Sequence, residues 1–328
     1  MDTKIFYIFL ILSVFFLVGI YSCKNVNDKG KVAIAFYNCE NLFDTIDNPL
    51  KEDDDFTPRG SYHYVTRTYE QKLHNIAIVL QSIPVTQKCP VALCGLCEIE
   101  NTTVLKDLVN QPELYRQHYQ YLMVPGNDLR GINTALLYRS DYFKVIGFDT
   151  INIKSKAADT LLKTRNILHV WGVLAGDSVH LFINHWPSRR NDALNRDNYR
   201  YTAARTLKLK TDEIRRLNPY IRIIIMGDFN DNPPDSSIAL FAAYTNPYIT
   251  LYKSGAGTEH FGNTWNLFDQ ILVSPAASAS KYRQHYKTAG IYNPAFLKRE
   301  DGTPRRAFAG TRWQNGFSDH FPVVMFFE

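Results

Sequence analysis

The sequence predicts one globular domain of the mixed α/β class over residues 31–328, and three observations lead to this prediction. Short apolar or alternating runs, which are typical of β-strands, outnumber the helical patterns. Helical patterns recur between some of those runs, as expected where strands and helices share one layered core. No repeat, low-complexity tract or linker divides the chain after residue 31, so a single domain follows.

The elements follow in order along the chain. KVAIAFYN is predicted to be the first strand. A helix is predicted over roughly 66–82, because apolar residues there have helical spacing and Pro84 lies beyond. VALCGLCE is the second strand, and a second helix rich in Arg, Leu and Lys is predicted over about 194–217. Further strands are predicted at INTALLYR, ILHVWGVL, VHLFINHW, IRIIIMGD, LFDQILVS and HFPVVMFF.

Three long segments without a clear pattern are predicted to be loops that shape the substrate site: 44–64, 242–266 and 283–317.

Cys94 and Cys97 lie inside a predicted buried strand, and we interpret them as small apolar core residues. A redox pair or a zinc site is the alternative, although a zinc site would need a second cluster that the sequence lacks. The net charge of +5 permits anionic substrates without requiring them.

The first thirty residues stand apart from the domain. Lys4 precedes an apolar run from Ile5 to Ile20, which is shorter than the roughly 20 residues needed to cross a bilayer. The run ends at GIYSC, which resembles the lipobox of bacterial lipoproteins. The resemblance implies a lipoprotein-type signal peptide over residues 1–23, cleavage before Cys23 with lipidation of that residue, and a polar tether over 24–30. An uncleaved anchor helix is the alternative. Both predict an exported, membrane-anchored protein of the bacterial cell envelope.

Polar residues suited to a hard cation or a phosphate end several predicted strands. In IMGDFND, a buried apolar run stops at Gly227 and is followed by Asp228 and Asn230. A single Asp after a strand commonly stabilises a turn or caps a helix and binds no ligand. Oxygen ligands with imidazoles match Mg²⁺, Mn²⁺ or Ca²⁺ better than zinc. The other such residues are Asn38, Glu40, Glu98, His185, Asp269, Asp319 and His320.

Six of these segments occur in the order of a known family's signatures. YNCENLF, LCEIEN, NHWPSR, GDFND, FDQILVS and SDHFP resemble the endonuclease/exonuclease/phosphatase superfamily, which includes pancreatic-type deoxyribonuclease. The resemblance extends from about residue 34 to 324. It implies a four-layered α/β sandwich, in which two packed mixed β-sheets are flanked by helices and the site lies at one edge. It also implies hydrolysis of phosphate esters by in-line attack of water, with Mg²⁺ as cofactor or Mn²⁺ or Ca²⁺ in its place.

The resemblance implies a cation site and a catalytic group. Glu98 would be the principal carboxylate ligand with Asn38 beside it, and Asp319 would complete the same site or a second one. Asp228 would accept a proton from the attacking water, and Asn230 would bond a phosphate oxygen or orient that carboxylate. The remaining roles fall to imidazoles: His320, paired with Asp269, would donate to a phosphate oxygen, and His185 would protonate the leaving group. The two histidines could exchange these duties.

Two arginines are predicted to contact the phosphate. Arg130 lies where the family often places an arginine before a strand, and an ordinary surface arginine is the alternative. Asn133 stands nearby, where many relatives have Asp. Arg189 and Arg190 lie in the loop after HWPS. The basic residues that continue to Lys210 form either a track for a polyanion or the solvated face of a helix.

Three functions remain open from the sequence. The first is an exported, membrane-tethered nuclease that cleaves phosphodiester bonds. The second is a phosphatase or phosphodiesterase acting on inositol phosphates or phospholipid head groups. The third is a catalytically inactive protein that binds a polyanion, against which the complete set of site residues argues. No protein partner is implied.

Overall fold

The computed structural model describes residues 31–87, 89–154, 161–189, 196–275 and 285–328. The signal peptide, Cys23 and the tether predicted from the sequence lie outside these residues. Among the residues described, no helix has both the length and the apolar character needed to cross a membrane.

Fifteen strands and six α-helices are described. The helices are α1 Thr66–Gln87, α2 Thr102–Val109, α3 Pro112–Tyr115, α4 Arg196–Leu217, α5 Ser236–Ala239 and α6 Tyr248–Lys253. The strands are β1 Val32–Leu42, β2 Val91–Ile99, β3 Tyr119–Met123, β4 Asn133–Arg139, β5 Phe143–Ile151, β6 Ile167–Leu174, β7 Asp177–His185, β8 Arg222–Asp228, β9 Glu259–Phe261, β10 Thr264–Asn266, β11 Asp269–Val273, β12 Tyr286–Ile291, β13 Phe308–Ala309, β14 Arg312–Trp313 and β15 Val323–Phe327.

Two large mixed sheets face each other. The first has the order β12-β15-β1-β2-β4-β3 and the second the order β11-β8-β7-β6-β5. Alternate residues of β1 explain the layers, because successive side chains of a strand point to opposite faces. Ile34 and Phe36 join the core between the sheets together with Met226 of β8. Ala35 and Tyr37 join the core on the outer face of the first sheet.

Helices cover the two outer faces. The first sheet is covered by α1 and α2, which contribute Leu73, Ile76 and Leu105 to its outer core. The second sheet is covered by α4, whose Ala203 and Leu207 pack in the same core as Phe182 and Ile225. The order of layers is helix, sheet, sheet, helix. This is the four-layered α/β sandwich that the family resemblance implies.

Strand direction brings the polar strand ends to one edge. Each large sheet contains one parallel pair, β1 with β2 and β7 with β8, so the carboxyl ends within each pair lie side by side. Two antiparallel strands begin at the same edge: β11, in which Asp269 is opposite Asp228, and β15, which follows His320. The first residue of β1, Val32, lies at the opposite edge of the sandwich, where it pairs with Phe327 at the end of β15.

Every strand predicted from the sequence is present, but the loop predictions were partly wrong. Segment 44–64 has one short 3₁₀ turn, Asp54–Phe56, and is otherwise irregular. Segment 242–266 contains α6 and the ribbon β9–β10, and segment 283–317 contains β12 and the ribbon β13–β14. The ribbon strands were missed because two or three residues are too few for a period to show, and α6 and β12 are also short, with six residues each.

The end of helix α1 differs from the sequence prediction, and the state of the cysteines agrees with it. Helix α1 passes through Pro84 and ends at Gln87 rather than near residue 82, since a proline close to a helix end removes few hydrogen bonds. Cys39, Cys89, Cys94 and Cys97 are buried free thiols. This agrees with the interpretation of Cys94 and Cys97 as core residues.

Candidate active site

Asp228 lies at the centre of the polar edge. Its Oδ2 accepts a hydrogen bond from Asn38 Nδ2 at 3.0 Å, and its Oδ1 accepts one from the backbone N–H of Asn230 at 2.9 Å. Two imidazole nitrogens flank Oδ2, with His185 Nε2 at 3.7 Å and His320 Nε2 at 3.9 Å. Burial raises the pKa of Asp228 to about 7. Its carboxylate therefore accepts a proton more readily than an exposed one would.

The local backbone explains how this carboxylate reaches the edge. A Cβ at Gly227 would lie 2.6 Å from the carbonyl oxygen of Asn184 on the adjacent strand β7, so only glycine fits before Asp228. Asn230 has a left-handed backbone with φ +50°, which turns the chain directly after the strand. Its Nδ2 donates to the Trp186 carbonyl oxygen at 2.9 Å and links the ends of β8 and β7.

Left-handed backbone recurs at the other strand ends. Of the eight non-glycine residues with positive φ in the described part of the chain, four lie at the ends of β1, β2 and β8. They are Glu40, Asn41, Glu98 and Asn230. Such conformations cost about 1–3 kcal/mol each in strained cases and concentrate at functional sites. Three of the four, Asn41, Glu98 and Asn230, line the same cavity.

His320 is held as a charged imidazolium. Its Nδ1 lies 2.7 Å from Asp269 Oδ2, which leaves Nε2 facing Asp228. Burial opposes the charge, but the carboxylates of Asp269, Asp228 and Asp319 outweigh burial and raise the pKa of His320 well above its usual value. The ring can therefore donate a hydrogen bond at neutral pH.

His185 has the opposite character. Burial lowers its pKa well below the usual value, and the positive charges of Arg165, Arg130 and His320 lower it further. Among the residues that the structure describes, none hydrogen-bonds its buried Nδ1. The two imidazoles that the sequence left interchangeable are thus electrostatically distinct, one neutral and one charged.

Glu98 has the geometry that a divalent cation would need. Its Oε2 accepts a hydrogen bond from the Asn41 N–H at 2.7 Å, which fixes the carboxylate. The side-chain nitrogens near its Oε1 are Arg130 Nη2 at 3.8 Å and His185 Nε2 at 3.9 Å, so this oxygen keeps room for a ligand. Mg²⁺ is commonly held by one or two carboxylates with several waters. The donor set at Glu98 therefore fits the cation that the sequence predicts.

The other predicted ligands are already engaged in part. Asn38 Oδ1 accepts from the Glu40 N–H at 2.9 Å, and Asp319 Oδ2 accepts from Arg306 at 3.0 Å. Ligand atoms of Asp228, Asp269 and His320 lie within 4.8 Å of one another, but this group suits a cation less well than Glu98 does. His320 and Asp269 are bonded to each other, and a charged imidazolium repels a cation.

These residues open into a cavity of about 930 Å³. Nine of the ten predicted site residues line it, and Asp269 lies behind His320. Arg130 reaches into the cavity with a half-exposed side chain. Arg189 also lines it, but its guanidinium bonds the Asn230 carbonyl and pairs with Asp231 and Asp235, so a phosphate would compete with these partners.

Several supporting residues were missed or only suspected from sequence. Arg165 is the foremost, because it bonds Asp128 at 3.2 Å and the Trp186 carbonyl at 2.6 Å and lies close enough to lower the His185 pKa. It is a single arginine in a loop without a surrounding pattern, so no sequence signal marks it. Glu40 is one of the polar residues at the predicted strand ends, and its carboxylate accepts hydrogen bonds from the backbone N–H groups of Ala307 and Phe308.

A comparison with family models decides the relationship that the motifs suggested. The model described as the Endonuclease/Exonuclease/phosphatase family matches residues 33–328. The chain belongs to the endonuclease/exonuclease/phosphatase family. Members of this family are hydrolases of phosphate esters, and the chain is accordingly a phosphoric ester hydrolase. No protein of curated function matches the sequence significantly.

Solved structures from several organisms share this fold. TDP2 of D. rerio in complex with single-strand DNA product is 17% identical with a TM-score of 0.58, over 92% of this chain and 100% of that one. A mannosyl-6-phosphatase of Bacteroides thetaiotaomicron is 19% identical with a TM-score of 0.57, over 90% and 99%. The human Nocturnin catalytic domain with bound sulfate is 16% identical with a TM-score of 0.54, over 91% and 94%. At these identities the endonuclease/exonuclease/phosphatase fold is what the likeness shows.

Proposed function

We propose that this phosphate-ester hydrolase cleaves the ester of a compact alcohol bound in the cavity, using Asp228 as the general base. The observation that carries the proposal is the arrangement around Asp228. A buried carboxylate with a pKa of about 7 lies between a neutral His185 and a charged His320 at the floor of a cavity of about 930 Å³. A base with a pKa near the working pH is the most effective one.

Each side chain has a defined duty in this proposal. Asp228 accepts a proton from the attacking water, while Asn38 and the Asn230 N–H hold its carboxylate in place. His320 donates through Nε2 to a phosphate oxygen, because Asp269 holds its other nitrogen. His185 stays neutral and orients the water or the leaving oxygen through Nε2.

A divalent cation would be held by Glu98, with Asn38 and Asp319 contributing where their existing hydrogen bonds permit. When bound, such an ion polarises the phosphoryl oxygen and offsets the charge that grows in the transition state. Arg130 reaches the same cavity and supplies a guanidinium for the phosphate.

Charge on α4 favours a compact ester over a nucleic acid. Lys208 pairs with Asp212, and Lys210 pairs with Glu213, on the exposed face of the helix. Arg200 is buried and bonded to Asp231. These cations therefore have partners within the protein, which disfavours a polyanion track, and the partly exposed Lys208 and Lys210 support the solvated-face interpretation.

A nuclease is the second candidate. A specific observation favours it, since the similar structure of D. rerio TDP2 holds a single-strand DNA product. The mannosyl-6-phosphatase among the similar structures points toward the compact ester instead. For both candidates, the lipobox-like GIYSC supports export and attachment to the membrane through Cys23.

A panel of substrates tests the proposal. The purified domain would be assayed with small phosphate monoesters, a chromogenic diester, plasmid DNA and RNA, each with Mg²⁺, Mn²⁺ or Ca²⁺ and with EDTA. We expect turnover of small esters that EDTA abolishes and added cation restores, and turnover by Asp228→Asn that is lower by about 10² to 10⁴. Preferential cleavage of DNA or RNA would favour the nuclease. Absence of turnover on every ester would contradict hydrolysis and leave the polyanion-binding protein.

A further inference from the structure

The ribbon β9–β10 forms one wall of the cavity and belongs structurally to the catalytic edge. Glu259 pairs with His320 through a β-bridge, and the Phe321 N–H donates to the Thr258 carbonyl at 2.8 Å. The two strands are joined by a two-residue turn in which Gly262 has φ +60°, the conformation that tight hairpins need at that position. The ribbon is therefore short, closed and fixed beside the catalytic imidazole.

One face of the ribbon points into the cavity. Because side chains alternate along a strand, residues 259, 261, 264 and 266 share one face and residues 260 and 265 the other. All four residues of the first face line the cavity: Glu259, Phe261, Thr264 and Asn266. On the second face, Trp265 stacks on Phe321 with ring centroids 6.1 Å apart and packs against the protein core.

In this arrangement the Phe261 ring is exposed to solvent. It is 66% exposed, although Trp265 on the opposite face shows that the ribbon can bury an aromatic ring. Three other exposed apolar residues line the same cavity from separate segments: Leu129, Leu161 and Tyr199. Single exposed apolar residues are common, but four around one cavity mark a surface that an apolar group covers.

The polar groups on the ribbon face define the chemistry of that group. Asn266 Nδ2 donates to Glu259 Oε2 at 2.9 Å, which orients the carboxylate and leaves its other oxygen able to accept. Thr264 adds a hydroxyl, and the face carries no cation. Carboxylate and hydroxyl oxygens bind the hydroxyls of an alcohol, whereas the negative charge disfavours a second phosphate.

We propose that this face binds the alcohol part of the ester, so that the enzyme selects phosphate esters of neutral, hydroxyl-bearing ring compounds. Phe261 stacks on the ring, and Glu259 and Thr264 bond its hydroxyls. The shared chemistry is that of a sugar ring, free or as part of a nucleoside. The inference rests on the proposed hydrolysis of a compact ester and names its substrate class.

Phe261→Ala tests this assignment. The purified enzyme would be assayed for phosphate release from a hexose 6-phosphate, a nucleoside 5′-monophosphate and the ringless glycerol 3-phosphate. We expect kcat/KM for a ring-bearing ester to fall about ten-fold, mainly through KM, because a stacking contact is lost. Glycerol 3-phosphate should change less than about two-fold, and Phe261→Tyr should restore the ring-bearing ester.

Phe148→Ala is the matched control, since Phe148 is 47% exposed on β5 and does not line the cavity. It should leave all three activities unchanged. The two ring-bearing esters distinguish a free sugar from a nucleoside. Equal effects of Phe261→Ala on all three esters, or no effect, would overturn this inference alone. Absence of turnover by the unaltered enzyme would overturn the proposed function and this inference with it.

Discussion

At the scale of single residues, Asp228 and His320 face each other at 3.9 Å, and different partners hold each of them. We expect Asp228→Asn and His320→Ala each to lower kcat by about 10² to 10⁴, because each removes one proton-transfer or charge-stabilising contact. Steady-state kinetics on the best ester of the panel would measure the loss.

The folded state of these two variants must be checked as a control. Asp228→Asn keeps the size of the side chain, so its circular dichroism and melting temperature should stay close to those of the unaltered protein. His320→Ala leaves the buried Asp269 without its imidazole partner, so its melting temperature should fall while circular dichroism still shows the native fold. Near-normal kcat in either variant would show that the base or the donor lies elsewhere.

The pKa values of the two imidazoles of the site should be shifted in opposite directions, upward for His320 and downward for His185. A raised pKa keeps His320 protonated as pH rises through the usual value of about 6.5, and a lowered pKa keeps His185 neutral as pH falls through it. ¹⁵N resonances of the imidazoles, recorded without divalent cation between about pH 5.5 and 7.5, would check this. A midpoint near 6.5 for either ring would contradict the assigned charges.

The site residues found from sequence share one property. Glu98, His185 and Asp228 each end a run whose apolar pattern is strong, so their polar character is conspicuous. Arg165 and Arg200 could not be found in this way, because one lies in an irregular loop and the other sits among the basic residues of a helix. Their burial is a property of tertiary packing, which a local pattern does not carry.

At the scale of elements, Arg200 fastens α4 to the segment after β8. It is 1% exposed, and its Nε donates to Asp231 Oδ1 at 2.8 Å. We expect Arg200→Ala to lower the free energy of unfolding by about 3 kcal/mol, because Asp231 stays buried after losing a charged partner. Urea denaturation would measure the change.

Arg205→Ala is the matched control on the same helix, since Arg205 is exposed. Its effect should stay within about 0.5 kcal/mol, as is usual for surface substitutions. Equal effects of the two substitutions would mean that Arg200 contributes only its helix propensity.

The more deeply a strand is buried, the more clearly its sequence pattern predicts it. β8 and β1 are buried on both faces and appear in the sequence as long apolar runs. β5 lies at the edge of its sheet with half of its residues exposed, and its pattern is correspondingly weak. The ribbon β9–β10 did leave one signal, the Gly262-Asn263 pair between aromatic residues, which is typical of a two-residue hairpin turn.

At the scale of the whole molecule, the convergence of the site depends on topology. Asn38 and Asp228 lie 190 residues apart in sequence and are joined by one hydrogen bond across the two sheets. The pattern of polar strand ends predicts a site, but not which ends meet. That meeting requires the two parallel pairs and the packing of the sheets, for which the family resemblance, rather than residue spacing, provided the expectation.

The proposed attachment to the membrane also concerns the whole molecule. We expect Cys23→Ala to release the protein from the membrane fraction, because the proposed lipid would have no acceptor thiol. Fractionation followed by immunoblotting would measure this. Cys89→Ala, which alters a buried thiol, should leave the protein in the membrane fraction. Continued membrane association of the Cys23 variant would favour the uncleaved anchor helix.

The direction of β1 has a consequence for what a tethered enzyme could reach. The strand has 11 residues and, at about 3.3 Å per residue, spans about 35 Å from Val32 to the catalytic edge. A lipid at Cys23 would join the domain through Val32, at the edge opposite the mouth of the cavity. The body of the protein would then stand between the site and its own bilayer. In the proposed tethered enzyme, this arrangement would favour esters that diffuse in solution over the head groups of the same bilayer.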